Sequence, residues 1–234
     1  MASDAVSTQG HAFDARGLDG GAENWRDEVW TALVGAIDSR LRIYYDIREF
    51  ADDPRCLLRL AVDPAPMRLT LSDGTAIDKG MPIGALHLWN EHVPRFPAHG
   101  PDLRWACRVR RQFVHTLRLL AARAESDPRI GQLPAFRGET VLATRLGLGQ
   151  LDRVAERLGF EPVAPPPSRL GALRTIGHCL NVWCLTRAYN PAALQRQTLL
   201  RVRHELWMSR TTLIARYGRG SRFEVRSRRR LSMR

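Results

Sequence analysis

A chain of 234 residues, 44% hydrophobic and 26% charged, is long enough to bury a sizeable core and too ordinary in composition for a disordered, collagenous or disulfide-scaffold protein. Its most apolar window, IGHCLNVWCL, is about ten residues long and holds His178 and Asn181, well short of the roughly 18 apolar residues of a membrane-spanning helix, so the chain does not read as transmembrane. The net charge of +12 points toward anionic partners, but the cations are 35 arginines and one lysine, Lys79, a bias that fits a GC-rich genome, and half of the net charge lies in the last 17 residues, where seven arginines face one glutamate.

Residues 1–22 read as a disordered tail, with neither the basic start nor the apolar run of a secretory signal. From Asn24 the apolar positions Trp30, Leu33, Ile37, Leu41 and Tyr44 recur at three and four residues, which predicts an amphipathic helix capped by Asn24, with Asp27 at its third position. Asp52, Asp53 and Pro54 end that pattern, and CLLRLAVD reads as a strand. MRLTL and TAID flank Ser72-Asp73-Gly74, and Asp-Gly between apolar runs favours a tight hairpin turn. With Ser72 adjacent, Asp73-Gly74-Thr75 could pass for a nucleophile or phosphate motif, yet turn chemistry already accounts for it. A second turn at Gly80 to Pro82 leads into IGALHLW, a third strand.

The stretch from Pro101 to Arg123 carries the clearest helical period. Ala106, Val109, Phe113, Leu117 and Leu120 fall within about 40° of one direction, and Arg104, Arg108, Arg111, His115 and Arg118 within about 40° of the opposite one. GETVLATRL is a strand candidate, LGQLDRVAERLG a short helix stopped by Gly159, and FEPVA a strand ended by three prolines. Beyond them Ser168 caps a predicted helix to about Tyr189, Asn190-Pro191 begin another, and Ser209 caps TTLIARY. The fold expected is a single α+β domain over 23–218: a mixed sheet built on the 56–90 strands, crossed by the 101–123 helix, with a helical subdomain from about 168 and an arginine-rich tail over 219–234. Cys56, Cys107, Cys179 and Cys184 form no CxxC pair and lie in predicted helices or strands, so they are expected to be reduced, small hydrophobes in a cytoplasmic protein.

Two clusters could carry chemistry. His87, Asn90, Glu91 and His92, with His99 further on, sit where a strand gives way to a loop. Imidazole beside carboxylate can serve as acid and base near neutral pH. The same groups can equally bond backbone and hold the loop, and a zinc site would need a third ligand that no spacing identifies, so no metal is expected. Arg104, Arg108 and Arg111, with Arg118, offer guanidinium forks to phosphate or carboxylate beside the positive end of a helix, or are simply a solvated face. Trp183, Trp207 and the arginine tail permit a peripheral contact with an anionic inner-membrane surface. Nucleic acid is not expected, because no helix-turn-helix, zinc-finger or stacking signature accompanies the charge.

The motifs DGT-x-I at Asp73, Gly74, Thr75 and Ile77, HL-x-N at His87 and Asn90, and LGF at Leu158, Gly159 and Phe160 resemble the YkoP-like domain family of bacteria, over about Trp25 to Gly218. Such domains stand alone or beside polysaccharide deacetylases and glycosyltransferases. The resemblance therefore implies an envelope-glycan or glycolipid setting and no particular reaction. The order of elements also resembles GNAT acyltransferases, although NEHVPRFPAHGPDLR lacks their glycine-rich Q/R-x-x-G-x-G turn. The first expectation is an accessory to envelope polysaccharide or glycolipid processing, working with envelope-glycan enzymes and holding an anionic sugar-containing ligand. The second is an acyltransferase with coenzyme A, and the third an interaction protein whose polar rim is structural. Enzyme status and cofactor stay open at this point.

Overall fold

The computed structural model of the chain describes residues 46–95, 97, 100, 102–143, 148–164 and 201–220, with scattered positions between 29 and 44 and residues 183, 184 and 187. In chain order the elements are β1 (Leu58–Pro64), β2 (Leu69–Thr70), β3 (Ala76–Ile77), β4 (Pro82–Leu88), a 3-10 turn (Asn90–His92), α1 (Leu103–Ser126), α2 (Pro128–Gly131), β5 (Ala135–Ala143), α3 (Leu148–Leu158), β6 (Glu161–Val163), β7 (Arg201–Ser209) and α4 (Arg210–Tyr217). Five strands form one mixed sheet in the order β1-β4-β5-β7-β6, and β2 pairs only with β3. β4 and β5 are parallel and the other neighbours antiparallel, so the chain needs the long crossover helix α1 between β4 and β5. The fold is α+β, as the alternation of patterns predicts.

Strand alternation gives the sheet two unlike faces. Leu58, Leu60, Leu86, Phe136 and Met208 meet Leu117, Leu120, Ala121 and Ala124 of α1 and Leu213 of α4. On the other face Ile83, Ala135 and Trp207 are covered by Leu71 and Ile77 of the hairpin. Asp102 caps α1 by accepting from the Trp105 N–H, and Gly159, at φ +90, turns the chain out of α3 as the LGF motif requires.

Several expectations change. Residues 201–209 are a central strand, not part of a helix, paired with β5 along its whole length. The Asn190-Pro191 signal suggested a helix start, but Leu206 and Met208 face one side and Glu205 and Trp207 the other, a period of two. Ser209 does cap α4, and residues 183, 184 and 187 are helical; the rest of the expected helical subdomain, the 1–22 tail and all of the arginine tail beyond residue 220 lie outside the described residues. Tyr44 is exposed rather than core-facing, Ala106 is exposed although it lies on the apolar side of α1, and Cys107 stands in solvent. The first turns of α1 overhang the sheet, so its core contacts begin only at Phe113. Trp207 is fully buried, which removes it from any membrane contact.

Candidate functional site at the opening between β4 and β5

The parallel strands β4 and β5 pair only at Gly84–Phe136, Ala85–Arg137 and Leu86–Gly138. β1 continues to cover the outer edge of β4 to Leu88, and β7 covers β5 to Ala143, so each strand runs on without the other. The end of β4 is tied to the β1 side. The Trp89 N–H donates to the Leu57 carbonyl at 2.7 Å, and His92 Nδ1 sits 2.8 Å from the Cys56 carbonyl. Leu88, the last residue of β4, is 50% exposed beside the resulting opening.

His87 and Trp89 share the face away from α1 with Arg59, which is opposite His87 in the β1–β4 register. Arg59 is 4% exposed; its guanidinium lies 4.2 Å over the Trp89 ring, with Glu49 and Glu91 carboxylates at 3.7 and 3.8 Å. His92 stacks on Trp89 at 3.8 Å. Asn90 donates to the Leu88 carbonyl at 3.5 Å, turning back on its own strand. Across the opening, Arg137 on β5 is also buried and contacts Glu139 at 3.2 Å and Glu205 at 3.4 Å, while Trp207 Nε1 donates to the second Glu205 oxygen.

The other expected cluster lies on the α1 side of the sheet. Arg104, Arg108 and Arg111 are exposed, and Arg111 Nε donates to the Cys107 carbonyl one turn back. His115, expected in the same stripe, instead holds Asp53 at 2.7 Å. Hydrogen bonds from Arg55 and His115 keep the Asp53 carboxyl well below the usual carboxylate range, while burial pushes the neighbouring Cys56 thiol up. His87 and Glu91 thus converge with Arg59, whereas Arg104, Arg108 and Arg111 lie on the exposed side of α1, across the sheet from them. His99 lies outside the described residues, and among the described residues no three His, Cys, Asp or Glu side chains gather as a metal site.

Sequence reasoning missed Arg59, Arg137, Glu139 and Glu205. Glu205 lies within the segment expected to be helical, and Arg59 stands in a run whose apolar neighbours mark only a strand. The available signal was a charge at alternate positions of an apolar run, such as Arg137 and Glu139, which marks one polar strip on a buried sheet face. A family model, the YkoP domain, matches residues 65–217 of the chain. No curated protein and no solved structure matches.

Proposed function

The chain belongs to the YkoP domain family, and from that premise we propose that it is an accessory in bacterial envelope polysaccharide or glycolipid processing that binds an anionic sugar-containing ligand at the β4–β5 opening. The ligand's anion lies on Arg104 and Arg108 at the start of α1, and its sugar reaches across the strand ends toward Asn90 and His87. The observation that carries this reading is the pairing that stops at Leu86–Gly138 inside a sheet otherwise laddered on both sides. Strand edges that leave a ladder offer backbone donors and acceptors to hydroxyl groups. Guanidinium forks suit phosphate.

Thermal-shift measurements with nucleotide sugars and sugar phosphates test it. A ligand at about 100 times its dissociation constant adds roughly 2.7 kcal/mol, a rise of several degrees for a chain of this size. The shift is expected to vanish in Arg104→Ala/Arg108→Ala and to persist in Arg123→Ala, whose partner is Asp127 at the far end of α1. Absence of any shift with these ligands defeats the reading.

A second reading, an acyltransferase, has its own support. The sheet order β4-β5-β7-β6, with α1 and α3 as crossovers and the opening after three parallel pairs, resembles the GNAT arrangement. In that case the opening receives a pantetheine arm, and a shift with coenzyme A but with no sugar ligand favours it.

A further inference from the structure

We propose that the outer face of α1 docks the protein on a bilayer with anionic headgroups, so that the ligand of the β4–β5 opening is drawn from the lipid phase. From Leu103 to Ala124 the helix contains no acidic residue, and Arg104, Arg108 and Arg111 are exposed within about two turns on the side opposite Phe113 and Leu117. None of the three has a carboxylate within ion-pair distance among the described residues, whereas Arg48, Arg55, Arg68 and Arg123 elsewhere on the surface are each paired at 2.8–3.2 Å.

The extent of the patch selects its partner. From Arg104 to Arg111 the arginines span roughly 10 Å along the helix axis. One phosphate is satisfied by one or two guanidinium forks, so this array outruns a single small anion and fits a plane of headgroups. Leu103, 79% exposed among the arginines, suits the boundary between headgroups and acyl chains. Nucleic acid would call for exposed rings to stack on bases. Here Trp105 is turned inward, its Nε1 donating to the Pro94 carbonyl, and Phe113 packs against Phe160. Because α1 is the crossover between the parallel strands β4 and β5, its start lies at the end of the sheet where β4 finishes, so docking brings the opening toward the surface. Only that last consequence rests on the proposed ligand site; the docking stands without it.

The test is co-sedimentation of the full chain with phosphatidylcholine vesicles, with and without phosphatidylglycerol and with no sugar ligand present. Binding is expected only with phosphatidylglycerol, weakening as salt rises. At about fivefold per arginine, Arg104→Gln/Arg108→Gln/Arg111→Gln lowers the partition coefficient on the order of a hundredfold. Leu103→Ser lowers it further, and Arg48→Gln/Arg68→Gln leaves it unchanged. Equal binding of the triple variant and the wild type overturns the proposal, as does equal binding to pure phosphatidylcholine. Displacement by free glycerol phosphate at matched headgroup concentration would reduce the patch to a single-anion site, and displacement by single-stranded RNA would assign it to nucleic acid; either also overturns the proposal. Because no sugar is present, failure here is distinct from failure of the soluble-ligand thermal shift.

Discussion

Gly84 sets how closely β4 can approach β5 below the opening. A Cβ added there would lie 2.5 Å from Phe136 Cδ1, 2.9 Å from Cε1 and 3.0 Å from Leu60 Cδ1, and Phe136 is completely buried. Its ring is fixed by surrounding side chains and cannot swing away freely. Overpacking of this kind costs roughly 1–3 kcal/mol, offset by the ~0.4–1 kcal/mol that Gly→Ala contributes through the unfolded chain. Gly84→Ala is therefore expected to lose about 1–2 kcal/mol, a fall in melting temperature of about 2–8 °C for a chain of this length. Gly138 is the control. It belongs to the same three-residue pairing, but an added Cβ meets nothing within 4 Å, so Gly138→Ala is expected to stay within about 0.5 kcal/mol of wild type. Urea denaturation of both variants reads the difference, and Phe136→Leu makes the attribution specific. The Gly84→Ala/Phe136→Leu double variant should be less destabilised than the sum of the singles by about 0.5–2 kcal/mol, because the smaller side chain relieves the clash. A neutral Gly84→Ala, or strictly additive effects, refutes the steric account.

Ser209→Ala removes both the cap of α4, where the hydroxyl accepts from the Thr212 N–H, and its bond to Asp73 in the hairpin; a loss of about 1–2 kcal/mol is expected, with a coupling of at least about 0.5 kcal/mol to Asp73→Ala in a double-mutant cycle. Zero coupling would mean that the hairpin is not pinned through this pair. Asp53→Asn tests the carboxylate shared by Arg55 and His115. Its folded pKa is depressed, so its contribution is complete above the ordinary aspartate value of about 4 and is lost as pH falls through the lower folded value. The stability gap between wild type and variant should thus be widest above about pH 5 and narrow toward about pH 2. A gap that stays constant over that range rules out charge as its origin.

The elements that were legible in the sequence are those whose pattern is local. The α1 period, the Asp-Gly hairpin and the α3 helix with its Gly159 stop lie close to their predicted positions because spacing and turn chemistry decide them within a few residues. The positions that carry the YkoP resemblance turn out to hold architecture. Asp73 accepts from Thr75 and Ser209, Ile77 is fully buried, and Phe160 packs edge-on against Phe113. Such residues identify a fold and say little about a reaction. β7 was not legible, because whether Arg201–Ser209 becomes strand or helix depends on nine pairings with the distant segment Ala135–Ala143. The break between β4 and β5 was hidden for the same reason: it follows from Trp89 and His92 binding backbone of the segment leading into β1, contacts between residues more than 30 apart.

Charge compensation separates the arginines paired within the fold from those with no carboxylate partner among the described residues. Arg59 and Arg137 look like an anion site from their position beside the opening, but each has two carboxylates within 4 Å, and Glu205 is itself 1% exposed. An incoming phosphate on that face would meet four glutamates against two guanidinium groups, and displacing a partner from a buried arginine costs several kcal/mol. Arg104, Arg108 and Arg111 face no such competition. They are solvated, so an anion there gives up little when it binds. The polar strip on the far face is accordingly suited to neutral hydroxyl groups, and the helix face to charge. A ligand or surface that brings phosphate to α1 and hydroxyls to the strand ends satisfies both sides of the opening at once.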